Sequence, residues 1–562
     1  MSQARNLFVQ QFAGTVPRFS DGIQTNQFAV KSHNVQRETQ YLRAVPCPKL
    51  VCDVGEPIRT IYENEACECL TWDTCVDVVE LTCFDEDTQY MWTGDDGPKM
   101  ATASEMCAGE SCKPGPECPQ DAPMFTGAGC DQAGCNTTTT TYVYTYKNKY
   151  GDEGPPSNAA PLQTVGVGDA HTVTLPQPSA ATVDEYCITE ICVYKLGVGY
   201  KTGQESQTTT DAAFWLVGCV PVGTTTFVDD GEKPKPYRLS TQGLAPMRLG
   251  ARNITRLESG QVAWSLGQQV YVSPPSRPTL YGDTMQAYNV TLKDRVQAMC
   301  EWNNELYVLT NSSVYRLSIA AQDGRYRVQV TRYECDMPLC SKQSLVKGKN
   351  AIYYASTHGI VALNQQGPQI ISEQLFTRDQ WCCECCESIV MGLCYGELIM
   401  RGKYKTYVIP LGEGGLQAPQ NIGMSTIDIR PDTFYTRKDG TVLFAEDGKV
   451  YELPKCADEC CDCCEAEYIG PIVSHTCPVN YEAMRLFMRP EYGPVNVKIW
   501  KRNCGMWELL HEKLVENCDP FLLPACSVDE HFMVQFNFCS AWIDGWAMVS
   551  SMDAFGGLQY AA

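Results

Sequence analysis

The chain has 562 residues, 44% hydrophobic and 20% charged. That is the composition of a folded globular protein, with room for about three to five domains, and it excludes a disordered tail. Sixty-six acidic residues against 44 basic ones leave a net charge of −22, which argues against the basic footprint that broad nucleic-acid contact requires. Thirty-two cysteines stand out, but a chain this long can bury a core without disulfide staples.

The opening, Met1-Ser-Gln-Ala-Arg-Asn-Leu-Phe-Val-Gln10-Gln11-Phe12, lacks the apolar run of ~7–15 residues that a secretory signal needs. No window reaches the ~18 apolar residues of a membrane span. The expectation is a chain made in a cytosol, which stays there or leaves by lysis.

Strand signals dominate: Tyr, Val, Thr and Ile cluster between Gly, Asn, Asp and Pro. Residues 1–137 read as an extended arm and a cysteine-rich β segment around 72–93. Residues 138–245 read as a β-sandwich of the immunoglobulin or fibronectin kind. The stretch 138–146 alternates at strand period, the turn Tyr150-Gly-Asp-Glu-Gly-Pro-Pro-Ser157 follows, and further strands fall at 171–175, 188–195, 213–220 and 225–228.

Residues 246–465 carry an internal repeat. Ser259-Gly260, Asn303-Asn304, Lys349-Asn350, Tyr395-Gly396 and Asp439-Gly440 each precede an apolar strand. The second turn residues lie 44, 46, 46 and 44 positions apart. A second turn and strand follow several of them, as at Leu266-Gly267, Asn311-Ser312, His358-Gly359 and Asp447-Gly448. A period of about 40–50 residues with several strands per unit predicts a β-propeller, in which one blade can be completed by distant strands. Residues 466–562 predict a C-terminal β domain, again a sandwich. The fold class is therefore all-β: a propeller core with two sandwiches. The clear helix start is Thr377-Arg-Asp-Gln380, a capping box.

Eleven cysteines fall between 47 and 135. Two tight knots follow: Cys382, Cys383, Cys385 and Cys386, then Cys460, Cys461, Cys463 and Cys464, with Cys456 just ahead. Three readings compete. The x₂ spacings suit a structural zinc site. Disulfides, from knot to knot or to neighbours, suit a particle released from a reducing cytosol. Free thiols serve as small apolar residues.

The phosphate-binding, dinucleotide, zinc-protease and serine-hydrolase motifs are missing, as is the calcium loop. The acidic pairs Asp85/Asp87, Asp95/Asp96 and Asp229/Asp230 sit beside turns, where Asp ordinarily bonds backbone. An enzyme is not expected, and no cofactor beyond the zinc reading.

Several stretches resemble the tail nozzle (tail tube) proteins of short-tailed bacteriophages. Gly14-Thr-Val-Pro17-Arg, Asn34-Val and Leu42-Arg-Ala-Val-Pro46 resemble their opening arm; Arg59-Thr-Ile-Tyr62, the run 72–79 and Tyr90-Met-Trp-Thr-Gly-Asp-Asp-Gly-Pro-Lys99 resemble their first β segment. Tyr142-Val-Tyr-Thr-Tyr146 with Gly151-Asp-Glu-Gly-Pro-Pro-Ser157 is the most specific match. Ile191-Cys-Val-Tyr-Lys195, Phe227-Val-Asp-Asp230, Ser341-Lys-Gln-Ser-Leu-Val346, the run 354–361, Phe376-Thr-Arg-Asp-Gln-Trp381 and Asp519-Pro-Phe-Leu-Leu-Pro524 continue it. Residues 100–135 and both knots depart from the family pattern.

The resemblance implies no catalytic residues. It implies a virion protein assembled in the host cytoplasm. Six copies would form a ring below the tail adaptor protein, near tail fibres or tip proteins. Phage DNA would pass through the lumen without specific binding. The alternatives are a tail sheath or receptor-binding protein that meets a host surface receptor, and a propeller glycosidase.

Overall fold

In the computed structural model the recurrent turns are the first turns of successive antiparallel sheets. Asn303, Asn304, Tyr395 and Gly396 all have positive φ, between 47° and 86°, the backbone that a two-residue hairpin demands at both central positions. The structure describes residues 6–557 except 19–27, 39–40, 68, 82–87, 128–136, 199–211, 232–234, 236, 283–288, 323–324, 335, 412–422, 455–463 and 525–527.

Seven sheets follow one another around a closed ring among the described residues. Blade 1 pairs Thr60–Tyr62 with Leu70–Trp72, and blade 2 pairs Asp77–Leu81, Gln89–Thr93 and Lys99–Thr102. Blades 3, 4 and 5 begin at Arg252–Arg256, Val296–Trp302 and Val346–Lys347, each with four strands. Blade 6 holds Val390–Cys394, Glu397–Arg401, Thr406–Pro410 and Ser425–Ile427. Blade 7 holds Thr433–Thr436, Val442–Glu446 and Lys449–Leu453, and takes its fourth strand, Lys49–Asp53, from the N-terminal region. The propeller expected from the repeat is thus present, closed by a distant strand.

Each neighbouring pair of sheets buries its own apolar cluster, as a blade must because it has no core of its own. Trp72 and Trp92 meet between blades 1 and 2, Met91 and Trp264 between 2 and 3, Val270 and Leu306 between 3 and 4. Leu309 and Tyr354 lie between 4 and 5, Tyr353 and Met400 between 5 and 6, Ile399 and Phe444 between 6 and 7. Leu443 and Ile61 complete the circle between 7 and 1.

The immunoglobulin-like sandwich is an insertion between blades 2 and 3. Tyr142–Asn148, Ile188–Val198 and Ala212–Pro221 form one sheet, and Met124–Gly127, His171–Thr174 and Thr226–Asp229 another, around Tyr142, Tyr144, Val173 and Ile191. The C-terminal sandwich recruits the arm. Leu7–Val9, Val35–Glu38 and Tyr41–Ala44 join the sheet of Ala483–Arg489 and Trp542–Val549. Lys31–His33 runs parallel to Ser425–Ile427 and antiparallel to Ala466–Ile469, so blade 6 and the second sandwich sheet are continuous. The strands of 1–137 therefore do not stand apart as a unit: they serve the sandwich, the closing blade and blades 1 and 2.

Truncation at the closing interface tests this stacking. Leu443 is fully buried between blades 7 and 1, so Leu443→Ala is expected to cost about 2–5 kcal/mol in urea unfolding. Leu50→Ala, on the closing strand but 51% exposed, is expected to change stability by less than about 0.5 kcal/mol.

Candidate functional site

One short turn ties the blades together. Lys342–Ser344 is a single 3-10 turn leading into blade 5. Lys342 Nζ lies 2.6 Å from Asp77 Oδ2 of blade 2 and 2.7 Å from Asn253 Oδ1 of blade 3. Gln343 Nε2 donates to the Arg59 carbonyl beside blade 1 at 3.2 Å and to the Asp432 carbonyl beside blade 7 at 3.0 Å. Asp432 Oδ1 in turn accepts from Arg401 of blade 6 at 2.6 Å. Fully buried Ser344 anchors the turn, its Oγ donating to the Ser341 carbonyl at 2.6 Å and accepting the Ala355 amide at 3.0 Å. The hub is therefore bridged by side chains.

That arrangement bears on chemistry. Glycoside cleavage needs one carboxylic acid and one carboxylate facing each other across a sugar. Asp77 and Asp432 are instead each held by a cation. Of the acidic pairs seen in the sequence, two have a member engaged. Asp95 pairs with Lys99 at 2.7 Å. Asp229 is buried, accepts from Tyr142 and pairs with Lys195 at 2.8 Å. Asp85 and Asp87 lie outside the described residues.

A cavity of 780 Å³ opens where blades 7, 1 and 2 meet, lined by Glu63, Glu65, Tyr90, Tyr435, Arg437 and Glu452 among others. Arg437 holds Glu63 at 2.9 Å and Glu452 at 2.8 Å. Burial pushes the Glu65 carboxyl up, but hydrogen bonds from Tyr90, its own amide and Thr88 outweigh it and leave it below the ordinary range. A general acid requires the opposite shift.

The Gly151-to-Ser157 turn is the joint between sandwich and propeller. Gly151 has φ 85°, and a Cβ at Gly154 would lie 2.5 Å from the Pro116 carbonyl oxygen. Glu153 accepts from Thr145 at 2.7 Å and Tyr194 at 2.6 Å, and lies 3.8 Å from Arg277 of the propeller. Beside it, Asp152 has a buried Oδ2 with no hydrogen-bond partner. Burial raises its pKa to about 6, against the lowering pull of Thr279, Arg277 and Asn148.

The capping box holds: Gln380 N–H donates to Thr377 Oγ1 at 3.2 Å and Thr377 N–H to Gln380 Oε1 at 2.8 Å. The resulting helix, Arg378–Cys383, plugs Trp381 between blades 5 and 6, its Nε1 donating to the Ser356 carbonyl at 2.9 Å. The first knot rides on this turn. Cys382, Cys383 and Cys385 are exposed, while Cys386 is half-buried and packs against the cluster between blades 5 and 6. Three of the four thiols thus face solvent, and among the described residues the knot does not gather into a metal-sized cluster.

Among the described residues one group is dense enough for a metal: Glu190, Cys192 and Cys219. Its two thiols are joined as a disulfide, which leaves no thiolate to ligate. Cys460, Cys461 and Cys463 lie outside the described residues, and Cys464 contacts Cys47. Two more disulfides, Cys67–Cys107 and Cys112–Cys187, tie blade 1 to the helix after blade 2 and the linker to the inserted sandwich.

Sequence reasoning missed a second capping box, Thr102 to Glu105, which starts the helix Ala103–Ala108. It also missed the hub, although the Ser341-to-Val346 run had been singled out. The signal was a Lys-Gln pair bounded by serines, which no local rule assigns to a ring centre.

No protein-family model matches the chain, and no curated protein does. Solved structures are similar at low overlap. The AfRom2 CNH domain shares 10% identity over 58% of this chain and 90% of its own, with a TM-score of 0.25. The extracellular domain of a one-component system from B. thetaiotaomicron shares 11% identity over 96% of this chain and 78% of its own, with a TM-score of 0.26. An exo-β-1,3-galactanase from Phanerochaete chrysosporium shares 10% identity over 74% of this chain and all of its own, with a TM-score of 0.20.

Two carboxylates, Asp229 of the sandwich and Asp152 of the joint, are shifted in opposite directions. Burial raises the Asp229 pKa, but hydrogen bonds from Lys195 and Tyr142 prevail and hold it below the ordinary value. Its stabilisation is present above the unfolded pKa of about 3.9 and is lost as pH falls through the folded one. Asp229→Asn should therefore destabilise at pH 7, by about 3–5 kcal/mol, and flatten the acid limb of a denaturation series. Asp152 is raised to about 6, so its ionisation costs stability as pH rises from about 4 to 6. Asp152→Asn should stabilise at pH 7 and remove that slope.

Proposed function

We propose that the chain is a non-enzymatic structural protein of a short phage tail, six copies of which form the nozzle or tube through which the genome leaves. The observation that carries this reading is where the resembling stretches lie. Ser341 to Val346 bridges the hub. Gly151 to Ser157 is the joint of the inserted sandwich. Thr377 to Trp381 locks blades 5 and 6. The resemblance thus falls on the residues that hold the architecture, as it should if the shared property is a shape.

Electrostatics supports the same reading. Six copies, each at −22, carry −132 formal charges. An acid-lined lumen repels DNA phosphates and lets the polymer slide, whereas a basic one binds it by counterion release. The engaged carboxylates of the hub weigh against the glycosidase alternative. Receptor binding keeps one observation in its favour, the cavity between blades 7, 1 and 2, whose paired rings and charges suit a polar surface glycan.

Quantitative mass spectrometry of purified particles tests the proposal. The expected result is about six copies per particle, released with the tail when particles are disrupted. A copy number matching the outer fibres, or loss of the protein from tails washed free of fibres, would overturn it in favour of the receptor-binding reading.

A further inference from the structure

Two cysteines meet where the ring closes. Cys47 lies two residues ahead of the closing strand, between Pro46 and Pro48, whose rings restrict the local backbone. Cys464 lies two residues ahead of the sandwich strand Ala466–Ile469, and its N–H donates to the Val45 carbonyl at 3.1 Å. The two Sγ atoms are 3.2 Å apart across 417 residues of chain. A disulfide needs about 2.05 Å, so the sulfurs must close by about 1.2 Å. Side-chain rotation supplies that while the backbone hydrogen bond holds the two segments together.

The neighbourhood repeats the pattern. Cys52, on the closing strand itself, and Cys69, ahead of Leu70–Trp72, both pack against the apolar cluster between blades 7 and 1, so a second pair of thiols sits at that seam. Burial, and after it the neighbouring Cys386 thiol of the first knot, pushes up the thiol of Cys340, just before the hub turn. Thiols are thus paired at the seams of the ring. A cross-link between its two ends encloses a loop of 417 residues, and covalent closure of a long loop constrains the unfolded chain strongly.

We propose that Cys47 and Cys464 form a disulfide that locks the closing strand to the C-terminal sandwich once the folded chain meets a low-molecular-weight disulfide. The Cys47 thiolate attacks one sulfur of that reagent, forming a mixed disulfide and releasing one small thiolate. The Cys464 thiolate then attacks Cys47 Sγ and expels the second. Two protein thiols are oxidised to one disulfide, the small disulfide is reduced to two thiols, and the two S–H protons pass to the departing thiolates. The inference stands on the seam geometry and is independent of the tail reading.

The test uses the full chain, purified under reductant and then incubated with oxidised glutathione. After digestion without reduction, mass spectrometry should find the Cys47–Cys464 cross-linked peptide, absent in C47S and in C464S. Oxidised wild type should melt about 5 °C or more above its reduced form, with C47S losing most of that gain. Reduced C47S should melt with reduced wild type, which shows that it folds. Cys464 joined instead to another cysteine, both thiols still alkylatable after oxidation, or a zinc ion retained by them would each overturn the proposal.

Discussion

A ring of sheets has to end where it begins, and in this protein that meeting is one strand. Lys49–Asp53 hydrogen-bonds Lys449–Leu453 across most of the chain. Without it, blade 7 would expose an unpaired edge, the feature that invites pairing with other chains. Blade 1 would lose the neighbour against which Ile58 and Ile61 are buried. The residues before the closing strand extend the same constraint outward, since they build part of the sandwich and fuse one of its sheets to blade 6. The N-terminal segment therefore binds propeller and sandwich into one body.

The hub adds a second layer of constraint. One turn from blade 5 reaches residues in or beside blades 1, 2, 3 and 7, and its one charge, on Lys342, is matched by the Asp77 carboxylate. The Lys342–Asp77 pair is only partly buried, its side chains 28% and 26% exposed, and such pairs contribute little net stability. Their effect here is to specify the relative placement of sheets that otherwise meet only through apolar faces. In the tail proposal, such a propeller is a rigid block, and the path for DNA lies between subunits.

The parts of this fold that were legible in the sequence are the local ones. Five turns at a spacing near 45 residues marked blades 3 to 7, because each needs left-handed or hydrogen-bonded turn residues at a fixed place. Thr377 and Gln380 announced a helix because a capping box is a four-residue motif. The closing strand, by contrast, reads only as Lys-Leu-Val-Cys-Asp, and its partner is distant, so no periodicity could pair them. The same holds for Cys47 with Cys464, and for Lys342 with Asp77 and Asn253. The x₂ intervals of the first knot say nothing of exposure, which the turn that carries it sets: three of its thiols face solvent. Non-local chemistry became visible only once the ring was assembled.

We propose that this closed, hub-bridged propeller is one sixth of a ring whose lumen, and not the propeller itself, carries the genome. A symmetric electron cryo-microscopy reconstruction of the tail, in intact and emptied particles, tests it most directly. The account expects six copies around the tail axis, an acidic lumen between them, and the Lys342–Asp77 contact unchanged after ejection. DNA density threading a propeller axis, a basic lumen, or copies placed only on peripheral fibres would contradict it.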